Sequence, residues 1–435
     1  MPEGSTLTPK EAAYIATNSY FTLQDWIHGE PKAGVESHSN IQNRVLGDAN
    51  IGNASHANTS LKGTGLATGK ISNVHSATTG IILTQSSGFG YTLKYEGQGE
   101  KHLVIATRGT RPEMNAMPDV FTDLRASFSN FGDYGPVHKG FKATFDSIKS
   151  NLDRDKAAIQ EATVIHCVGH SLGGAIATLV AGHYAAAGKN VKLYTFGCPR
   201  VGVLNAYKSF EQRIGAQNIF RVCHDLDPVT LIAPYPYMHV QPGFNDPNHM
   251  IMPSPTGNLL STANHDMTQY IKKVQDLNWN GVRGLKRNVE HQDDLFMAWF
   301  LHEDKDPGWV QYASAATLST LFRLFRGALR TISTSAILGL TAIDVVAEIL
   351  MKGVRLLGRL SDKILQLLEY LARWSGIIVV GRDNFTSDVI RILLEKMLSA
   401  VKMASINALG HGLRNLKPYT IGIGGVWALK GAGII

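Results

Sequence analysis

A serine flanked by glycines is the feature of this chain that most clearly suggests covalent chemistry. It stands in the run Gly169-His170-Ser171-Leu172-Gly173-Gly174. A Gly-x-Ser-x-Gly pentapeptide places its serine on a tight strand-to-helix turn, where side chains on the flanking residues would collide with the backbone. The pattern predicts Ser171 as a nucleophile, with the N–H of Leu172 at the amino end of the helix able to stabilise an oxyanion. The turn itself would be formed by Gly169, His170 and Gly173.

A serine nucleophile needs a histidine base and a carboxylate that orients the base. Two carboxylates, Asp225 and Asp227, lie at the end of the apolar run 218–225. Asp227 is favoured because it directly precedes Pro228, at a strand end whose loop would face the serine.

Three histidines downstream of these carboxylates could serve as the base: His239, His249 and His265. His265 is favoured because it follows the carboxylate on a loop at a helix start. His239 lies between apolar neighbours, Met238 and Val240, and is better explained as a packed strand residue.

Alternating strand and helix patterns supply the elements that would position these residues. We predict strands at 79–97, 101–110, 162–168, 190–197 and 218–225, and helices at 142–151, 172–187 and 206–213. This alternation predicts an α/β sheet with helices on both faces. Residues 1–30 form one predicted helix, and the Ser/Asn/Gly-rich segment 31–80 and the Pro-rich segment 231–260 are predicted loops.

The chain resembles the class 3 lipases over roughly residues 80–275. The resemblance is carried by ordered blocks at 105–110, 137–141, 169–174, 195–202 and 227–229, followed by His265 and Tyr270. It implies an α/β-hydrolase sheet in which Ser171 is the nucleophile, Asp227 the orienting carboxylate and His265 the base. It also implies that the N–H of Thr110 acts beside that of Leu172 in an oxyanion hole.

The same resemblance implies a lid between Thr110 and Asp123, because Asp123 matches the aspartate that usually closes the lid segment. This stretch contains Pro112, Met114 and Met117. It departs from the tryptophan-bearing lid helix that is usual in the family, so activation at a lipid interface is not implied for this chain.

Length and composition divide the chain into units with different properties. Its 435 residues, 44% of them hydrophobic, exclude a wholly disordered protein and suggest two or three domains. We assign 1–80 to an N-terminal unit packing on the hydrolase, 81–307 to the hydrolase domain and 308–435 to a helical domain. Residues 312–435 carry 15 Lys and Arg against 7 Asp and Glu, whereas the rest of the chain is nearly neutral.

The 308–435 tail contains basic residues at helical spacing opposite leucine-rich faces. Arginines recur at 323, 326 and 330, and basic residues again at 352, 355, 359 and 363. Basic amphipathic helices suit an anionic membrane surface. Equally, such helices could pack on one another or on the hydrolase with basic outer faces. Aromatic residues are sparse in this tail and it contains no motif that recognises nucleic acid bases, so we expect no nucleic acid partner.

The amino terminus and the cysteines bear on where the protein acts. MPEGSTLTPKEAAYIATNSY has an acidic third residue and no apolar core, so we expect it not to be a secretory signal peptide. The three cysteines, Cys167, Cys198 and Cys223, cannot build a disulfide scaffold and fit a reducing cytoplasm. We therefore expect synthesis in the cytoplasm, export by a non-Sec route and action at a target membrane.

Together these features predict a serine lipase or phospholipase that hydrolyses membrane glycerophospholipids without a metal or cofactor. The combination also resembles antibacterial phospholipase effectors of type VI secretion, which implies a toxin with an immunity protein and a secretion-apparatus component as partners. One alternative is a soluble carboxylesterase or triacylglycerol lipase with a structural tail. The other is a membrane-disrupting protein that acts through its helical tail.

Overall fold

A computed structural model of the chain describes most of the first 289 residues and part of the tail. The described residues are 5–22, 37–47, 59–79, 85–109, 128–231, 237, 239–240, 248–257, 261–289, 347, 350–351, 354–355, 359–379, 381–397 and 399. The helices are α1 (Pro9–Asn18), α2 (His38–Leu46), α3 (Lys139–Leu152), α4 (Lys156–Glu161), α5 (Leu172–Ala186), α6 (Leu204–Ile214), α7 (Met267–Val274) and α8 (Arg359–Trp374). The strands are β1 (Lys70–Thr79), β2 (Gln85–Gly97), β3 (Glu100–Thr107), β4 (Phe128–Asn130), β5 (Pro136–His138), β6 (Val164–His170), β7 (Val191–Phe196), β8 (Ile219–His224) and β9 (His249–Met252).

A seven-stranded mixed sheet in the order β1-β2-β3-β6-β7-β8-β9 forms the centre of the molecule. β1, β2 and β3 pair antiparallel, and every pairing from β3 to β9 is parallel. In a parallel sheet the carboxyl ends of the strands meet at one edge, which is where α/β proteins bind ligands. The loops after β6, β7 and β8 therefore converge at that edge.

Alternate residues of the central strands belong to two hydrophobic cores, one on each face of the sheet. In β3, Leu103 and Ile105 join one core, whereas Val104 and Ala106 join the other. α3, α5 and α6 cover the first face, and α1, α2 and α7 cover the second. The predicted α/β sheet with helices on both faces is therefore confirmed, with the class of each predicted central element correct.

The first 80 residues contain more regular structure than their composition suggests. Of the helix predicted over 1–30, the structure confirms α1, and residues 19–22 form a 3-10 turn instead. α1 begins with a capping box in which the Glu11 carboxylate accepts from the Thr8 N–H at 2.8 Å. The prediction of a loop over 31–80 is wrong at α2 and β1. β1 carries polar residues into the interior, where Asn73 donates to the Asn151 carbonyl oxygen at 3.0 Å. Hydrogen bonds such as this one to α3 satisfy the polar residues of β1, and an apolar pattern does not reveal them.

The predicted loop over 231–260 likewise contains a strand, β9. Its four residues complete the parallel edge of the sheet beside β8, with Arg221 opposite His249 and His224 opposite Met252. A strand this short gives too few alternating positions to be detected from sequence.

The described part of the tail is largely helical and buries a set of apolar side chains. α8 and the helical segment 387–397 bury Ile364, Leu367, Leu368, Leu371, Leu393, Leu394 and Met397. Lys396 donates to the Ser375 carbonyl oxygen at 3.0 Å, which ties the segment to the end of α8. The predicted amphipathic stretch 317–332 lies outside the described residues, and the tail as a separate domain stays a prediction. Within the described part of the chain, no helix combines the length and apolar character needed to cross a membrane.

Candidate active site

The turn between β6 and α5 holds the serine in an unusual backbone conformation. Ser171 has φ 60° and ψ −135°, and its N–H donates to the Phe196 carbonyl oxygen at 2.9 Å. A non-glycine residue in this region is strained and persists only where its surroundings enforce it. Here they do, because a methyl group at Gly169 would overlap the Gly173 carbonyl and one at Gly173 would overlap the Thr107 carbonyl.

The structure brings the favoured histidine and aspartate to this serine in one hydrogen-bonded row. His265 Nε2 lies 2.9 Å from Ser171 Oγ, and His265 Nδ1 lies 2.8 Å from Asp227 Oδ2. The carboxylate can only accept, so Nδ1 carries the proton and Nε2 is left to accept from the serine hydroxyl. All three side chains are buried.

Three donors hold the Asp227 carboxylate in place. Besides His265, it accepts from the Val229 N–H at 2.9 Å and from the Tyr270 hydroxyl at 2.6 Å. The Tyr270 oxygen in turn accepts from the His224 N–H at 3.0 Å. A buried carboxylate with this many donors stays oriented without help from water.

The loop that carries His265 is fastened to the loop that carries Asp227. Asn264 donates to the Leu226 carbonyl oxygen at 3.1 Å, and its own carbonyl oxygen accepts from His224 Nδ1 at 2.8 Å. Gly197, at the end of β7 with φ +55°, lies directly against the Asp–His pair. These hydrogen bonds hold the two loops, and with them the base and the carboxylate, together.

His170 packs directly behind the base. Its ring stacks on that of His265 with centroids 4.6 Å apart, and its Nε2 lies 3.0 Å from the His265 carbonyl oxygen. Its Nδ1 lies 3.0 Å from the hydroxyl of Tyr20, which comes from the segment after α1. Both residues are buried.

Burial keeps the supporting histidines uncharged. It lowers the pKa of His170 far below its usual value, and a positive charge on neighbouring His265 would lower this pKa further. Burial also lowers the pKa of His224 to about 4. For Tyr270, burial and the adjacent Asp227 carboxylate raise the pKa well above its ordinary value. Asp227 is therefore surrounded by neutral donors, and a positive charge formed on His265 has this carboxylate as its partner.

The other candidates lie elsewhere. Asp225 turns away from the serine and accepts from the Ser254 N–H at 2.8 Å. His239 and His249 both contact the buried guanidinium of Arg221, at 3.0 and 2.9 Å, and His239 lies outside any strand.

Of the predicted oxyanion and lid residues, only Leu172 belongs to the described residues. Leu172 opens α5, where its N–H has no intrahelical acceptor. Thr110 and the predicted lid residues Pro112, Met114, Met117 and Asp123 lie outside the described residues.

Sequence reasoning missed three contributors to the site. Tyr20 lies 150 residues before its partner His170, and no local pattern signals such a contact. His224 was hidden in an apolar strand, although its position beside two candidate carboxylates is a signal in retrospect. Gly197 could have been noticed as a glycine at a strand end.

The arrangement has the parts needed for nucleophilic acyl transfer. It contains a serine in a strained backbone conformation, a base with a defined tautomer and an oriented carboxylate. Within the described residues, no group of three or more His, Cys, Asp or Glu side chains is placed to hold a metal ion.

Comparison with known proteins gives matches over the middle of the chain. Residues 104–236 match the family model described as Lipase (class 3). The chain is 35% identical over 116 residues to Secreted mono- and diacylglycerol lipase 1 of Fusarium solani, covering 25% of this chain and 33% of that protein. It is 31% identical over 172 residues to Phospholipase A1-II 4 of Oryza sativa subsp. japonica, covering 33% of this chain and 42% of that protein.

The chain thus spans less than half the length of these two relatives. Among solved structures, the mono- and diacylglycerol lipase from Aspergillus oryzae matches with a TM-score of 0.35 at 20% identity, over 54% of this chain and 76% of that chain.

Proposed function

We propose that this chain, whose residues 104–236 carry a class 3 lipase domain, is a serine carboxylic ester hydrolase acting on acyl esters of glycerolipids. The observation that carries the proposal is the continuous row from Ser171 Oγ through the His265 ring to the Asp227 carboxylate, with contacts of 2.9 and 2.8 Å. Two relatives are named for mono- and diacylglycerol lipase and phospholipase A1 activity, which supports a glycerolipid ester as the substrate class.

In the proposed reaction the serine hydroxyl attacks the ester carbonyl carbon while His265 Nε2 takes its proton. The oxyanion that forms would accept from the N–H of Leu172 and, as the family resemblance implies, from that of Thr110. Collapse of this intermediate breaks the bond to the alcohol, which leaves with the proton from His265. Water, deprotonated by the same ring, then attacks the acyl-enzyme and releases the fatty acid and free Ser171.

We further propose that the substrate lies in a phospholipid membrane. Excess positive charge in residues 312–435 supports this, since each basic residue near an anionic surface contributes about 1 kcal/mol. The apolar face of α8 is already buried, so membrane contact would fall on other parts of the tail. One such part is the turn after α8, where Ile378 is 94% exposed between two glycines with positive φ, Gly376 and Gly381.

The test compares fatty acid release from phosphatidylglycerol and phosphatidylethanolamine vesicles by the wild type and by Ser171→Ala. Release that disappears in the variant would support both the nucleophile and the phospholipid substrate. Hydrolysis of a short soluble ester without release from vesicles would favour the carboxylesterase alternative. Vesicle leakage without hydrolysis of either substrate would contradict the proposed reaction and favour a membrane-disrupting protein.

A narrower proposal is that the protein is an antibacterial effector exported by a non-Sec route, with a cognate immunity protein. It is supported by the pairing of a lipase domain with a basic, leucine-rich tail. The wild type directed to the periplasm of a bacterium should then arrest growth, and Ser171→Ala directed there at equal abundance should not. Equal growth of the two strains would contradict the effector role while leaving the hydrolase proposal intact.

A further inference from the structure

A tyrosine from the N-terminal segment touches both halves of the proposed catalytic machinery. The Tyr20 hydroxyl lies 3.0 Å from His170 Nδ1 and 3.2 Å from the backbone nitrogen of Gly109. His170 Nε2 continues the path to the His265 carbonyl oxygen at 3.0 Å. Gly109 directly precedes Thr110, the residue expected in the oxyanion hole. One hydroxyl thus connects the backbone of the base, His265, with the backbone at Gly109.

The direction of each hydrogen bond in this path follows from its fixed ends. The His265 carbonyl can only accept, so His170 Nε2 must carry a proton. Burial lowers the pKa of His170 far below its usual value, so the ring is neutral and Nδ1 has no proton of its own. Tyr20 must therefore donate its hydroxyl proton to Nδ1, and its oxygen accepts from the Gly109 N–H.

Packing gives the hydroxyl little freedom to move. A methyl group at Gly109 would lie 2.7 Å from the Tyr20 oxygen and 3.2 Å from Ser171 Cβ. The tyrosine is buried, and the turn that carries it is closed by the Thr22 hydroxyl, which donates to the Ser19 carbonyl oxygen at 2.8 Å. A displacement of Tyr20 would therefore change its hydrogen bond with the Gly109 N–H, which is 3.2 Å long.

We propose that Tyr20 is a positioning residue, which fixes the backbone at Gly109, the residue before Thr110, and the base through His170. This inference rests on the proposed ester hydrolase function. It predicts that the N-terminal segment, although far from the Gly-x-Ser-x-Gly motif in sequence, is required for turnover.

The test is Tyr20→Phe in the full chain, with Tyr134→Phe as the matched control. Tyr134 is also a buried tyrosine, and its hydroxyl donates to the Gly182 carbonyl oxygen at 2.6 Å within the core beside α5. Both variants lose one buried hydroxyl that makes a hydrogen bond in the core. On a short soluble ester, Tyr20→Phe should lower kcat about 10-fold with KM changed less than about twofold, and Tyr134→Phe should change neither by more than about twofold.

Two measurements that need no turnover accompany the kinetics. In nitrogen-15 spectra, His170 should appear as the Nε2–H tautomer in the wild type. The Gly109 amide should exchange with solvent faster in Tyr20→Phe than in Tyr134→Phe, because it has lost its acceptor.

The outcomes separate this inference from the function on which it rests. An Nδ1–H tautomer for His170, or equal kcat and equal Gly109 exchange in the two variants, would overturn the role of Tyr20. If the wild type hydrolyses no ester, the proposed function fails, and a positioning role in turnover fails with it. The tautomer and exchange results would in that case still show whether the hydrogen-bonded path exists.

Discussion

Gly197 offers a direct way to separate the Asp227–His265 pair without changing either residue. A methyl group at this position would lie 2.6 Å from Asp227 Oδ2 and 3.0 Å from His265 Nδ1. Carbon–oxygen contacts settle at about 3.3 Å or longer, so the carboxylate of Gly197→Ala must retreat by roughly 0.7 Å. Displacements approaching 1 Å cost up to about 100-fold in rate, so we expect kcat/KM to fall about 30- to 100-fold.

An alanine at position 197 also costs folding free energy because of the backbone conformation there, independently of the Asp227–His265 pair. A substitution at a second glycine measures this backbone cost by itself. Gly197 has φ +55°, a conformation that costs an alanine about 1–2 kcal/mol. Gly188, in the turn after α5, has φ +76° and open space where a methyl group would go. Gly188→Ala should therefore lose about 1–2 kcal/mol of unfolding free energy with kcat/KM unchanged.

The assay is kcat/KM on a short soluble ester for both variants, with urea unfolding and circular dichroism to verify that each is folded. The difference between them reports the displacement of the carboxylate alone. A folded Gly197→Ala whose kcat/KM stays within about threefold of Gly188→Ala would refute the reasoning, because the pair would then tolerate the displacement.

Two further predictions concern pH and the tail. Burial lowers the pKa of His224 to about 4, so between its unfolded value of about 6.5 and pH 4 the unfolded chain binds a proton that the folded chain does not. Stability is therefore full above pH 6.5 and is lost as the pH falls toward 4, by about 3 kcal/mol for this residue alone. Urea unfolding at a series of pH values checks this, and a flat profile would contradict the neutral buried histidine. For the tail, Ile378→Glu should reduce flotation with anionic vesicles several-fold, about 1–2 kcal/mol in binding, whereas Gln160→Glu, at an exposed position of α4, should not. Equal flotation of the two variants would exclude the turn after α8 from membrane contact.

The catalytic row could be predicted from sequence because each member follows a strand of the same parallel sheet. Ser171 follows β6 and Asp227 follows β8. The parallel sheet brings the carboxyl ends of these strands close together, independently of the conformation of the intervening loops. β6 and β8 contain enough apolar residues for the sequence pattern to predict them as strands, although each also carries buried polar residues such as His166 and Arg221. His265 needed one more argument, its place after the carboxylate at a helix start.

The supporting residues could not be predicted because nothing local marks them. Tyr20 and Gly109 meet through packing between the N-terminal segment and the sheet, a contact between residues 89 positions apart. β1 was missed for a related reason, since its buried polar residues are satisfied by hydrogen bonds to distant partners such as Asn151 and Thr92. Sequence patterns report which side chains avoid water, and they do not report which buried polar groups find one another.

The groups around Ser171, His265 and Asp227 are neutral, and this neutrality favours formation of a positive charge on His265. His170 and His224 lie close to His265 and Asp227, and a proton on either would place a second positive charge beside the base. Burial keeps both uncharged, so the Asp227 carboxylate interacts with one cation, the imidazolium that forms when Ser171 loses its proton. Charge separation in the transition state is then stabilised by a buried partner already in place at 2.8 Å. The same two histidines contact the carbonyl oxygens of His265 and Asn264. The residues that hold the loop of the base in place are therefore also uncharged, and they add no second positive charge beside Asp227.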